Sequence, residues 1–200
     1  MPPGLLVVPN GSPYERNKDD VRLALVQKRA KEIGAPVAYV NMTGGQDDLV
    51  FDGDSIVVGR DGAVIARTAQ FDDQLIIVDI ECAEGSSQPD VVISEEQTFH
   101  ADSAAPEVAT RLSNDAEMWR GLVMGLRDYV GKNGFKSVVL GLSGGIDSMA
   151  LLSLLKHFIV SNKNLKIKVF PVIIDHDLRL NSSNEAKAVQ NIALSLGFKT

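Results

Sequence analysis

Scarcity narrows the field first. The chain has one cysteine, Cys82, which excludes a disulfide framework and points to a reducing, cytoplasmic setting. No apolar run approaches the ~20 residues of a bilayer span, and no secretory leader precedes Gly4. Positive charge is not in excess: the net is −6, which argues against a nucleic-acid binder. Glycine is almost missing from the last quarter, since 16 of the 17 glycines precede residue 149. Against these absences stand 200 residues with a 44% hydrophobic fraction and mixed charge, enough for one or two globular domains with real cores.

The chain is organised around residues 138–148. Val138 to Leu142 is a short apolar run, expected to be a buried parallel strand. Ser143-Gly144-Gly145 is a tight turn, and Asp147 and Ser148 suit a helix start, where side-chain oxygens accept orphan N–H groups. Strand, glycine turn and helix N-terminus make an anion cradle, because glycines admit close backbone approach and the dipole favours phosphate. A Walker loop needs a lysine here, and there is none. The loop resembles instead the SGGxDS loop of the ATP pyrophosphatases, which cleave ATP between the α- and β-phosphates, adenylate a substrate oxygen and let an amine displace AMP. The resemblance implies that Gly141, Leu142, Ser143, Gly144, Gly145, Ile146, Asp147 and Ser148 bind ATP, with Mg2+, whose ligands are left open.

Upstream, Leu5 to Val8 reads as a buried strand and Asn10-Gly11-Ser12-Pro13-Tyr14 as a turn. Helical spacing over Lys18–Ile33 puts Val21, Leu25 and Lys28/Arg29 on one stripe, with Ala24 and Ala30 as small packing residues and Gly34 as the stop. Val37 to Val40 is the next strand and residues 43–48 a polar loop. Ser55–Gly59, Ala63–Ala69 and Leu75–Ile80 are further strand candidates, the first two joined at Arg60-Asp61-Gly62 by an Asp-Gly hairpin turn. The order indicates an α/β layered sheet.

Asn10 to Tyr14, Lys18, Arg22, Tyr39-Val40-Asn41 and the run Gly44 to Gly53 resemble the nitrilase-like glutaminase domain of glutamine-dependent NAD+ synthetases. That resemblance implies that Ser12 and Lys18 bind glutamine. The family's catalytic Glu–Lys–Cys triad precedes the Asn-x-Ser-Pro block, so none of it falls at or after Met1. No catalytic residue is therefore assigned, and the chain is expected to be a fragment without glutaminase activity. Cys82 enters a loop with no helix dipole to lower its pKa and reads as structural.

Residues 83–113 read as a linker, with few apolar residues in any period and His100 as a surface residue. Ser113 to Glu117 opens a helix with a capping-box pattern. Met118, Leu122, Leu126 and Val130, with Trp119, Val123 and Tyr129, form a broad apolar stripe, stopped by Gly131 and Gly134. This helix looks like the one preceding the ATP loop in NAD+ synthetases. Beyond the loop, residues 166–174 form a second strand, and Glu185 to Leu196 a helix with Ala188, Val189, Ile192, Ala193 and Leu196 inward, stopped by Gly197. Asp175 to Arg179, with Asn181 to Ser183, resembles tRNA(Ile)-lysidine synthetase. Asp175 and His176, at a strand C-terminus, are candidate nucleotide contacts.

The expected architecture is α/β twice. Residues 1–82 form a partial nitrilase-like layered sheet. Residues 83–113 form a linker, and residues 114–200 a truncated, doubly wound parallel-sheet domain of the adenine nucleotide alpha hydrolase-like kind. The first functional expectation is a piece of a glutamine-hydrolysing NAD+ synthetase acting on glutamine and deamido-NAD+, away from any membrane and homo-oligomeric when intact. The alternative is tRNA(Ile)-lysidine synthetase, with tRNA as partner, or an inactive composite of the two. Composition motivates the composite: residues 149–200 carry seven Lys or Arg against three Asp or Glu, a net of +4, which leaves −10 for residues 1–148. A seam would then lie in or just after Gly141–Ser148.

Overall fold

Gly34 has φ +65°, a conformation that costs glycine nothing and ends a helix. It closes α1, Lys18–Ile33, the first helix of a computed structural model that describes residues 3–82, 91, 107–163, 166–175 and 180–200. The chain divides into two units, Met1–Asp128 and Tyr129–Thr200.

In the first unit, β1 (Leu6–Asn10), β2 (Val37–Asn41), β5 (Ile56–Val58) and β6 (Val64–Arg67) form one sheet in the order β1-β2-β5-β6. Between β2 and β5, β3 (Thr43–Gln46) and β4 (Leu49–Asp52) make a separate hairpin. The first strand pair is parallel and the next two antiparallel. The expected buried strand at Leu5 to Val8 lies instead at a sheet edge, where Val7 is 54% exposed. The polar loop expected at 43–48 is mostly strand: Asp47-Asp48 alone turns the hairpin, with Asp47 at φ +51°, the positive φ that a two-residue turn requires. Residues 75–80 form no strand. Ile76, Val78 and Ile80 pack on Ala38, Val57 and Ala66, so their apolar alternation reflects packing without pairing.

The α1 stripe is displaced from the expected one. Val21 and Leu25 are 65% and 50% exposed, and the buried line is Arg22, Val26 and Ala30. Arg22 turns inward because its ion-pair partner lies inside. Val26 and Ala30 then meet Val37, Tyr39, Ile56 and Val58 to form the core.

Part of the expected linker also packs. Glu107 and Ala109 hydrogen-bond through their backbones to Arg67, and Leu112 N–H donates to Gln70 Oε1 at 3.0 Å. His100 lies outside the described residues. Helix α2 spans Asn114–Lys132. Its first-unit portion buries Glu117, Gly121 and Met124, while Met118, Trp119 and Leu122 are exposed. A Cβ on Gly45 would meet the Gly125 Cα at 3.3 Å. Small residues thus let α2 lie close on the hairpin, and the helix is rotated away from the broad apolar stripe.

In the second unit, β7 (Ser137–Leu142) and β8 (Lys168–Ile173) pair in parallel. Between them runs α3, Ile146–Ser161, and after them α4, Ser182–Ser195. A parallel pair joined through a helix is the βαβ unit. Leu140 and Leu142 are buried and Val139 exposed, so β7 buries one face only. Leu152, Leu155 and Phe158 of α3 are buried, as are Val189 and Ala193 of α4, whereas Ala188 and Ile192 are exposed. Tyr129 is also exposed, against expectation, and rests on Phe135 with ring centroids 5.9 Å apart. Among the described residues, no helix is long and apolar enough to cross a membrane.

Candidate functional site

Two loops carry the sequence-predicted residues, one in each unit. In the first unit, Ser12 is fixed by its backbone. Its N–H donates to Asn41 Oδ1 at 2.8 Å, and its carbonyl accepts from Asn41 Nδ2 at 3.2 Å and from Arg22 Nη2 at 3.1 Å. Arg22 Nη2 also reaches the Pro13 carbonyl at 3.1 Å, and Nη1 lies 2.8 Å from both Asp52 carboxylate oxygens. Burial works against the Arg22 charge, but the Asp52 hydrogen bonds and charge prevail and hold its pKa above the ordinary value. Lys18, at the start of α1, pairs with Glu15 at 3.4 Å near the surface. The Ser12 and Lys18 positions are thus two ends of one loop whose base is clamped by a buried ion pair.

The same loop has further supports. Tyr14 N–H donates to the Val50 carbonyl at 2.7 Å, and its hydroxyl lies 3.4 Å from Glu117 Oε2. Burial first, and then the Glu117 charge, push the Tyr14 hydroxyl pKa up. Gln70 Nε2 donates to Glu117 Oε1 at 2.7 Å. A second buried pair, Arg67 Nε to Asp54 Oδ1 at 2.6 Å, joins β6 to the Asp52-Gly53-Asp54 turn. Burial raises the Asp54 pKa, and Arg67 opposes that rise. Sequence reasoning assigned no role to Asp52, Asp54 or Gln70, and read Glu117 only as part of a helix-capping pattern. A signal existed in the two acids flanking Gly53 beside an apolar run, but their cationic partners are distant in the chain.

In the second unit, β7 ends at Leu142 and α3 begins after Gly145, which is extended and supplies no side-chain cap. The expected caps do not form: the Ser148 hydroxyl donates to the Gly145 carbonyl at 3.1 Å instead. Ser143 Oγ accepts from Gly145 N–H at 3.3 Å and lies 3.3 Å from Ser148 Oγ. Gly144 has φ +79°, and a Cβ there would come within 2.9 Å of Val189 Cγ2. The loop is exposed, so backbone N–H groups at the start of a 16-residue helix face solvent with no side-chain cap from Gly145. Such a terminus suits an anion. Asp175 lies beyond β8 and accepts from the Ser183 hydroxyl at 2.6 Å. It helps line a cavity of about 460 Å³ together with Pro171, Ile173, Lys187 and Gln190. His176 lies outside the described residues. Cys82 is a free, exposed thiol. Among the described residues, no three His, Cys, Asp or Glu side chains cluster to hold a metal.

Comparison with known proteins bears on both loops. Residues 5–89 match the carbon-nitrogen hydrolase family, and residues 121–200 match the PP-loop domain. A glutamine-dependent NAD(+) synthetase of Xanthomonas campestris pv. campestris is 47% identical over 150 residues, 75% of this chain and 25% of that protein. The corresponding protein of Thermotoga maritima is 32% identical over 96% of this chain and 35% of its own length. The structure of glutamine-dependent NAD+ synthetase from Acinetobacter baumannii in complex with ADP superposes with TM-score 0.67 at 29% identity. It covers 98% of this chain and 33% of that one. The chain therefore spans a quarter to a third of the length of these relatives. A match over 96% of the chain runs well past residue 148, so neither the lysidine synthetase alternative nor the composite is favoured.

Proposed function

We propose, for a chain homologous to part of the glutamine-dependent NAD+ synthetases, that it contributes a glutamine-binding loop and an ATP-binding loop to such a ligase. The whole enzyme would hydrolyse glutamine, adenylate the nicotinate carboxylate of deamido-NAD+ and amidate it with the released ammonia, giving AMP and pyrophosphate. We assign residues 1–82 to the glutaminase region, 83–113 to the connection and 114–200 to the synthetase region. A cytoplasmic, homo-oligomeric enzyme is part of the same reading.

One observation carries the nucleotide assignment: Gly144 at φ +79°, directly before a helix whose N-cap is another glycine. With no side chain in the way, the N–H groups of residues 146–148 can approach a phosphate, and the Ser143 and Ser148 hydroxyls would add donors by exchanging their contacts with Gly145 for it. Bound ATP would supply the activated phosphoryl centre. Mg2+ would be held chiefly by phosphate oxygens and water, as this ion prefers, with few protein carboxylates; Asp147 is the acid within the loop. Asp175, beyond the carboxyl end of β8, would meet the nucleotide, and His176 is assigned the same role from its place in the sequence alone. Ser12 and Lys18 would hold glutamine, a hydroxyl for the amide and an ammonium for the α-carboxylate.

The test is an ATP titration of the purified chain followed by calorimetry. Gly144→Val should lose binding, because its side chain would enter the cradle and strike Val189. Parent-like affinity in that variant would remove the loop assignment.

A further inference from the structure

Several contacts from one short segment converge on the Ser12–Lys18 loop. Arg111 ion-pairs with Asp19, Nε to Oδ2 at 3.2 Å, and with Asp20. These are the two residues that follow Lys18. At the loop's middle, Tyr14 donates its hydroxyl hydrogen to Glu117. Gln70 links the two grips, accepting from Leu112 N–H and donating to Glu117. Glu117 and Gln70 are 4% and 3% exposed. The Tyr14 ring meets Phe71 edge-on, with centroids 5.1 Å apart, and a Cβ on Gly121 would lie 3.5–3.6 Å from both rings. Backbone pairing of Glu107 and Ala109 with Arg67 anchors the segment's start.

Residues 107–117 fall between the two matched family regions, 5–89 and 121–200. Gln70 and the Ser12–Lys18 loop lie within the first of these regions, so the grip runs from the intervening segment onto it. A buried carboxylate and amide that satisfy each other are costly to disturb, so the segment restrains whatever it holds. The geometry points to Gln70, Arg111 and Glu117 as positioning residues. They hold the loop in one conformation and thereby set its affinity for an α-amino-acid amide. The segment leading into the synthetase region thus tunes the glutamine site. This rests on the reading of Ser12 and Lys18 as glutamine contacts.

The experiment uses the full chain, with amide hydrogen exchange read residue by residue and glutamine titrated by amide chemical shift. The variants are Arg111→Met, Arg111→Lys and Tyr14→Phe, the last keeping the ring and losing only the hydroxyl. Exchange at residues 12–20 should rise several-fold in Arg111→Met and Tyr14→Phe while residues 56–67 stay protected. Arg111→Lys should restore most of the protection, and glutamine affinity should weaken in step with exchange. If Arg111→Met does not fold, Tyr14→Phe alone decides. Exchange that rises evenly over both regions, or nowhere, overturns the proposal. A parent chain whose Ser12 and Lys18 amides ignore glutamine would instead remove the glutamine reading, and exchange alone would then judge the grip.

Discussion

Arg22 and Asp52, thirty residues apart, meet at 2.8 Å with side chains 6% and 2% exposed. One guanidinium nitrogen takes the carboxylate and the other takes the Ser12 and Pro13 carbonyls. The fold's core and the loop's position therefore depend on the same side chain. Removing one partner of a buried pair costs about 3–5 kcal/mol, because the other charge stays buried and unpaired. Asp52→Asn should lower the urea midpoint by that much in free energy. A loss below about 1 kcal/mol would mean that water reaches the pair.

Gly144 and Val189 should be coupled. Gly144→Ala forces a side chain into a left-handed conformation, at a cost of about 1–2 kcal/mol, and places a Cβ 2.9 Å from Val189 Cγ2. Val189→Ala should relieve the contact and leave the backbone strain. The double variant should then be more stable than the two single losses added, as measured in an unfolding cycle. Simple additivity would contradict the close contact.

Lys18 offers a separation of binding from folding. Its pair with Glu15 is exposed on the Glu15 side, with 74% of that side chain accessible, and such pairs contribute about 0–1 kcal/mol. Lys18→Met should leave the thermal midpoint almost unchanged while glutamine binding is lost. A large drop in stability would mark Lys18 as a structural residue.

The grip of Arg111 on Asp20 should have an acid limb. The Arg111 hydrogen bond first, and its charge second, hold the Asp20 carboxyl below its ordinary value of 3.8. A depressed carboxyl contributes stability that is present above the unfolded value and is lost as the pH falls through the lower folded one. Protection of residues 18–20 against exchange should fade over that range and with added salt. In Arg111→Met that portion of the pH dependence should be missing. An unchanged acid limb in the variant would assign it to other carboxylates.

Cys82 is free and exposed. It should react fully with a thiol reagent in the folded protein, and Cys82→Ser should leave the unfolding midpoint in place. Protection from the reagent would show that the thiol is covered in solution.

Much of the element order was legible in the residues. The helix from about Lys18 was readable, with its end at Ile33 fixed by Gly34, and β7, the glycine turn and α3 were readable because short-range rules govern each. The capping pattern at Ser113 was only half right. Ala116 N–H does donate to Ser113 Oγ, at 3.4 Å, but Glu117 turns away from the helix end to a buried partner, Gln70. Residues 75–80 alternate like a strand and pack without pairing, since alternation records which side is buried and not whether a neighbouring strand is there.

By itself the sequence determined where the helices and the glycine turn between β7 and α3 fall, because φ preference and period act within a few residues. Tertiary structure alone decided which face of each helix is inside. On α1 the line Arg22–Val26–Ala30 replaced Val21–Leu25 because the Arg22 charge could be buried only against Asp52. On α2, Gly121 and Gly125 chose the packed side by allowing close approach, although larger apolar side chains lay next to them. Burial of a charge depends on a partner that the chain brings from far away, and no local pattern names that partner.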